Sequence, residues 1–228
     1  MIRKIDVNIR TDHLPFPMPQ RPHSFVQQWR HVSFLHWEVD PERLAPYIPE
    51  GLELDTFEEK AYIGTIPFMM TGVRPRLAVS VPGISTFPEF NIRTYVRQGG
   101  KAGVFFITLD AQSIVTCAYA PYAYGLPYRY AKGRLDVDGS TYSWRSKRVD
   151  GGQELIGSCM GTGETMLAEP GSLDEFLFER YCPIHIAQKD AVHRVHSSRS
   201  MGLLYWRGGG HFQHSDQVIR SRDIHFTA

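Results

Sequence analysis

Excess charge, long apolar runs and cysteine are all scarce in this chain, and each absence removes a class of function. With 25 basic and 24 acidic side chains the formal net charge is only +1, so no overall field gathers nucleic acid or an anionic membrane. Any charged ligand must be read by a local site. No stretch approaches the roughly 18 apolar residues of a membrane span, the dense runs being short ones such as Val104 to Leu109. No membrane partner is expected. Cys117, Cys159 and Cys182 are odd in number and widely spaced, unlike a disulfide framework, so reduced thiols are expected. The first residues, with Arg3, Lys4, Asp6 and Arg10 followed by prolines, offer no signal-peptide core. A cytoplasmic location is the expectation.

What is present is enough apolar material for a core, 42% of 228 residues. Pro15, Pro17, Pro19 and Pro22 remove backbone donors and exclude helix, so residues 1–24 read as an extended arm. Residues 25–228 read as a single domain, without repeat or linker. Phe25 to Asp40 is rich in Val, Phe and Trp and is expected to form one long strand. Asp40-Pro41 then starts a short helix, with Pro at its first position. Strand-like segments follow at 52–57, 61–70, 74–79, 90–97 and 104–109, with turn signals at Gly72, Pro82-Gly83 and Gly99-Gly100. Asp138-Gly139 predicts a tight hairpin between 128–137 and 140–148, and a further strand spans Glu154 to Cys159. Helices are expected at Ser113 to Tyr119 and at Leu173 to Tyr181, the second opened by Ser172 and Glu175 at capping-box spacing. Many strands, few short helices and no strand-helix-strand alternation predict an α+β fold with a large antiparallel sheet, curled or barrel-like.

Several segments, taken in order, carry a family resemblance. They are His36-Trp37, Pro49-Glu50-Gly51-Leu52, Ile66-Pro67-Phe68, Phe87 to Val96, Gly103 to Asp110, Leu126-Pro127-Tyr128, and the helix containing Phe176-Leu177 and Arg180-Tyr181. Over roughly residues 25 to 196 the chain resembles the YqjF-like family of the acetoacetate decarboxylase superfamily. The resemblance implies a curled sheet enclosing a small-molecule pocket, and it implies self-association into a homo-oligomer. No cofactor is implied. In the decarboxylases a lysine that forms a Schiff base and a second lysine beside it directly follow a proline. Here Pro127 is followed by Tyr128 and Arg129, and the six lysines, at 4, 60, 101, 132, 147 and 189, are scattered. Imine chemistry is therefore not expected; Lys132 is the one lysine close in sequence. The resemblance further points to Arg30, nineteen positions before Pro49, as a carboxylate-binding group. It aligns the decarboxylase acid with the Pro88 to Tyr95 strand, where Glu89 is the nearest carboxylate, and it sets Tyr128 in the nucleophile's place.

Read from the residues themselves, Asn91 and Arg93 share one face of an apolar strand by the period of two. They are ligand contacts if that face lines a pocket, and ordinary surface residues if it faces water. Arg30 can equally be a surface charge beside Trp29, and Tyr128 one of a row of strand tyrosines. Gly157-Ser158-Cys159-Met160-Gly161 spells a nucleophile elbow, but no convincing helix follows it, so Cys159 is read as a small buried thiol. Cys182, His185, His193, His196, His211 and His214 could together hold zinc, yet they lack the spacing of a finger or of ligands on one helix, and no metal is expected. The stretch 197–228 diverges from the family pattern. The expected ligand-binding set is therefore Arg30, Glu89, Asn91, Arg93 and Tyr128. The expected function is a small-molecule pocket for an organic, anionic ligand or carbonyl compound, with the reaction open. Two alternatives stand beside it, a non-catalytic ligand-binding or regulatory protein and a metal-dependent hydrolase.

Overall fold

The computed structural model describes residues 25–161 and 168–180, together with short strands at 184–186, 195–197 and 205–206. Its spine is one long strand, β4. In chain order the elements are β1 (Phe25–Arg30), β2 (Leu35–Val39), α1 (Pro41–Leu44) with a 3-10 turn at Ala45–Tyr47, β3 (Glu53–Leu54), β4 (Ala61–Pro75), β5 (Phe87–Gln98) and β6 (Lys101–Ala111). Then come α2 (Ile114–Tyr124), β7 (Tyr128–Asp138), β8 (Thr141–Arg148), β9 (Glu154–Met160), α3 (Leu173–Phe178), β10 (Ile184–Ile186), β11 (Val195–Ser197) and β12 (Tyr205–Trp206). Ten of these strands form one sheet in the order β12-β1-β4-β5-β6-β7-β8-β9, with β2 also on β4 and β3 on β5; β10 and β11 pair separately.

The expected single strand from Phe25 to Asp40 is two. β1 and β2 lie end to end on β4, with Leu35 opposite Thr65 and Arg30 opposite Met69, and His31, at φ 54°, breaks the line between them. A positive φ is strained for a residue with a Cβ. The break is held by the Ser33 amide donating to the Pro67 carbonyl. Conversely, the strand expected at 61–70 runs on through Gly72 to Pro75, taking in only the first two residues of the segment expected at 74–79, the rest of which is not strand, and Gly72 marks a bulge rather than a turn. Gly72 and Val73 together oppose Gln27, with Thr71 on Gln28 and Arg74 on Val26, and Gly72 takes φ 66°, the left-handed position that a glycine bulge requires. The turn chemistry at Gly99-Gly100 behaves as expected, both residues having positive φ between the paired Gln98 and Lys101.

The sheet is mainly antiparallel, with one departure that positions the site. Ser113 caps α2 by accepting from the Thr116 amide, and Gly125 closes it at φ 68°. The helix therefore carries the chain over the sheet, and β7 returns parallel to β6, Leu109 lying beside Tyr128. The expectation of no strand-helix-strand unit is corrected here. A second parallel pair joins β1 and β12. As expected, α3 lies outside the sheet, its Ser172 accepting from the Glu175 amide while Glu175 Oε2 accepts from Gly171.

Two faces result. Strands β7 to β9 fold back over one of them, where Leu35, Phe90, Trp144, Leu155 and Cys159 form a core. Burying each such large side chain contributes roughly 1.5–3 kcal/mol. The curl brings Gly133 of β7 against Phe90 and the Cys159 thiol to 3.3 Å from Ser33 Oγ, so the last strand of the path approaches the His31 break. On the other face Ile66, Phe68, Met70 and Phe87 are covered by Trp29, by Cys117 of α2 and by Tyr128. Farther along, Tyr62 and Tyr95 are covered by Phe176 and Leu177 of α3.

Candidate functional site

Strand β5 runs through the middle of the sheet, so its alternate residues Phe87, Glu89, Asn91, Arg93 and Tyr95 share the face covered by the helices. Three of them are polar and almost inaccessible: Glu89 is 2% exposed, Asn91 1% and Arg93 6%. Polar groups at such depth normally find partners, because an unpaired one costs about 1–3 kcal/mol. At one end Glu89 is partnered by Tyr128, whose hydroxyl donates to Glu89 Oε2 over 3.1 Å. Burial pushes the Glu89 carboxyl up to about 8, against a smaller lowering by the tyrosine hydrogen bond. At neutral pH it is an uncharged acid. Burial, followed by the charge of Glu89, also drives the Tyr128 phenol well above its ordinary value.

At the other end the Arg93 guanidinium donates to the Leu177 carbonyl at the close of α3 over 3.1 Å and lies over the Phe34 ring, 5.3 Å from its centre. The Tyr95 hydroxyl contacts both His36 Nε2 and the Leu177 carbonyl at 2.8 Å. Since Tyr95 has one proton, giving it to Leu177 requires His36 to be the tautomer that donates from Nε2. Burial first, and Arg93 second, lower His36 to about 3, so this imidazole is neutral. Gly64 makes room for it, since a Cβ there would lie 2.8 Å from the His36 ring. The Arg93 guanidinium thus has a neutral histidine and a phenol for company. Among the described residues it has no carboxylate within ion-pair distance. Its Nε has no hydrogen-bond partner, and neither has Asn91 Oδ1 next along the strand.

A bulge accompanies this arrangement. Ile92 pairs with Thr108 and Arg93 with Phe106, leaving Ile107 as the extra residue on β6, and such bulges re-aim side chains locally.

The geometry brings together four of the five residues expected from the sequence. Glu89, Asn91, Arg93 and Tyr128 share one face, and it is the face under the helices rather than the one enclosed by β7 to β9. Arg30 does not join them. By register it stands opposite Met69, which stands opposite Pro88, so it belongs to the other face, where it is exposed and bonded to Gln28. The offset from Pro49 does not bring it to the site, because Trp29, opposite Met70 and through it Phe87, takes the site's face and alternation gives Arg30 the other. Tyr95 and His36 stand outside the expected set. Tyr95 follows Arg93 by two and so was accessible to the same face argument; His36 reaches the site only because β2 lies beside Gly64.

Other sequence candidates separate from the site. Lys60, Lys101, Lys132 and Lys147 are all exposed. Cys159 lies inside antiparallel β9, so the Gly157 to Gly161 spelling is no strand-to-helix elbow, and burial raises its thiol. Cys182, His193, His211 and His214 fall outside the described residues, and for His185 and His196 only the backbone pairing of β10 with β11 is described. No cluster of potential metal ligands occurs among the described residues, and no helix among them is long and apolar enough to cross a membrane.

Comparison with known proteins places this arrangement. The fold is that of acetoacetate decarboxylase-like proteins. The acetoacetate decarboxylase of Legionella pneumophila superposes with a TM-score of 0.51 at 18% identity, over 77% of this chain and 66% of that one. The enduracididine biosynthesis enzyme MppR complexed with pyruvate does so with a TM-score of 0.50 at 15% identity, over 70% of this chain and 63% of its own. The chain itself belongs to the DUF2071 family, described as an uncharacterized conserved protein, which matches residues 26–200. It is 38% identical over 156 residues to the uncharacterized protein YqjF of Bacillus subtilis, covering 68% of this chain and 64% of that relative's length.

Proposed function

We propose that the buried polar face of β5 binds a small organic acid, with Arg93 as counter-charge to its carboxylate and the protonated Glu89 with Tyr128 as the proton-bearing end. One observation carries this reading: the Arg93 cation is removed from water with an unpaired Nε and no carboxylate beside it among the described residues. A buried charge without a counter-charge is costly, and a bound carboxylate offsets that cost while accepting from Nε. The fold neighbour complexed with pyruvate is consistent with this ligand class. If a reaction follows, it is one that a carboxyl group near pH 8 serves as general acid or base, since such a group gives and takes protons readily at neutral pH. No described lysine is placed for imine formation, since Lys60, Lys101, Lys132 and Lys147 lie at the surface. A binding protein without turnover uses the same contacts.

Titration calorimetry with pyruvate and with other acids of two to six carbons tests the reading. Binding of at least one acid is expected, weakened about tenfold or more in Arg93→Met; unchanged binding in a folded Arg93→Met protein overturns it. Proton NMR of the same mixtures over hours separates turnover from binding alone.

A further inference from the structure

Resting on that reading, we infer that the acid recognised here carries a hydroxyl on the first or second carbon from its carboxylate, and that Asn91 selects for it. The two orphan atoms of this face are chemically opposite. Arg93 Nε is a donor in want of an acceptor, and Asn91 Oδ1 is an acceptor in want of a donor. They belong to residues two apart on one strand, whose Cα atoms are separated by about 6.7 Å and whose side chains emerge on the same side.

A simple carboxylate fills only the Arg93 half. Directed at Asn91 Oδ1 it sets lone pairs against lone pairs. A keto group beside the carboxylate has the same fault, because its oxygen only accepts. A hydroxyl on the neighbouring carbon or the one after it donates to Asn91 Oδ1 while the carboxylate accepts from Arg93, so both orphans are satisfied by one small molecule. No hydrogen bond from an enclosing group reaches either atom. Ile66, opposite Asn91, is apolar, the Tyr95 hydroxyl is engaged with His36 and with the Leu177 carbonyl, and the Tyr128 proton is engaged with Glu89. Asn91 is therefore a specificity residue, distinct from the charge contact at Arg93.

Matched three-member sets test this on the full chain: 2-hydroxypropanoate, 2-oxopropanoate and propanoate, and 3-hydroxybutanoate, 3-oxobutanoate and butanoate, each by titration calorimetry. The hydroxy member of at least one set is expected to bind about tenfold or more tightly than its keto partner, since the keto form leaves a buried acceptor unpaired. In Asn91→Leu that ratio should fall below about twofold. The wild-type ratios stand even where Asn91→Leu does not fold. Equal affinities within both sets, with binding still dependent on Arg93, overturn the hydroxyl inference and leave the carboxylate reading intact. A preference for the keto members overturns it too, by showing the amide presenting Nδ2. Binding of no member of either set counts against both readings, the orphan atoms then being served by water.

Discussion

Glu89 gives the sharpest quantitative test, because the burial of a neutral acid makes stability depend on pH in a calculable way. Its carboxyl ionises near 4.5 in a solvated chain and near 8 in the folded protein. Below pH 4.5 both states hold the proton and the group is neutral toward folding. As the pH rises above 4.5 the unfolded chain releases the proton while the folded protein keeps it, so stability falls, by about 1.4 kcal/mol for each pH unit. The fall ends above pH 8, when both states are ionised, after a total on the order of 5 kcal/mol. Glu89→Gln keeps the size and the acceptor for Tyr128 but cannot ionise. Urea unfolding of both proteins at pH 5.5, 6.5, 7.5 and 8.5 should show the variant gaining on the wild type by roughly 3 kcal/mol between the first and last of these. Any constant offset from altered packing cancels in that difference. A difference independent of pH would refute the reasoning, meaning that Glu89 is ionised or hydrated in the folded state.

Three further outcomes are expected. Gly133→Ala places a Cβ 2.5 Å from Phe90 Cε2, on a ring only 2% exposed, and should cost about 1–3 kcal/mol by thermal unfolding. Asp55 faces Arg97 at 2.7 Å and Arg180 at 3.0 Å; although its Oδ2 is not aligned for a hydrogen bond, its charge faces a largely buried guanidinium. Asp55→Asn should therefore destabilise by about 3 kcal/mol and lower Tm by roughly 6–12 °C, with Arg97→Ala, half exposed at the rim, costing far less. Borohydride treatment with a β-keto acid should leave no lysine adduct by mass spectrometry; a stoichiometric adduct on Lys132 would revive imine chemistry.

The sequence spoke most clearly where local chemistry decides the backbone. Gly99-Gly100 adopts the positive φ pair that a tight hairpin needs, Asp40-Pro41 starts α1 with the Asp40 side chain accepting from the Glu42 amide, and Ser172 with Glu175 opens α3. The face shared by Asn91 and Arg93 was equally legible, because a period of two is a property of the strand alone. What was not legible depends on distant partners. His31 gives no signal of its positive φ, and Gly72 as a bulge is spelled like Gly72 as a turn until β1 lies opposite it. The return of β7 parallel to β6 depends on α2 reaching across the sheet, and α2 extends to Tyr124 through Pro121, past the Tyr119 end expected for it. Arg30 shows the cost of reading position from spacing: an offset in sequence does not say which of a strand's two alternating faces a residue takes, and here Trp29 takes the site's.

The crossover through α2 also sets an order of events for a chain made from one end. Tyr128 lies 39 positions after Glu89, and at about 5–20 residues per second a ribosome needs roughly 2 to 8 s to deliver it. During that interval β4, β5 and β6 can pair as consecutive antiparallel strands, yet the Leu109 to Ala111 edge has no neighbour and the carboxyl of Glu89 still stands in water, ionised. The arrival of β7 then covers the open edge, a template for wrong pairing while it lasts, and supplies the phenol. Recovering a proton thus coincides with completing the sheet, so a nascent chain held at alkaline pH should linger with that edge uncovered.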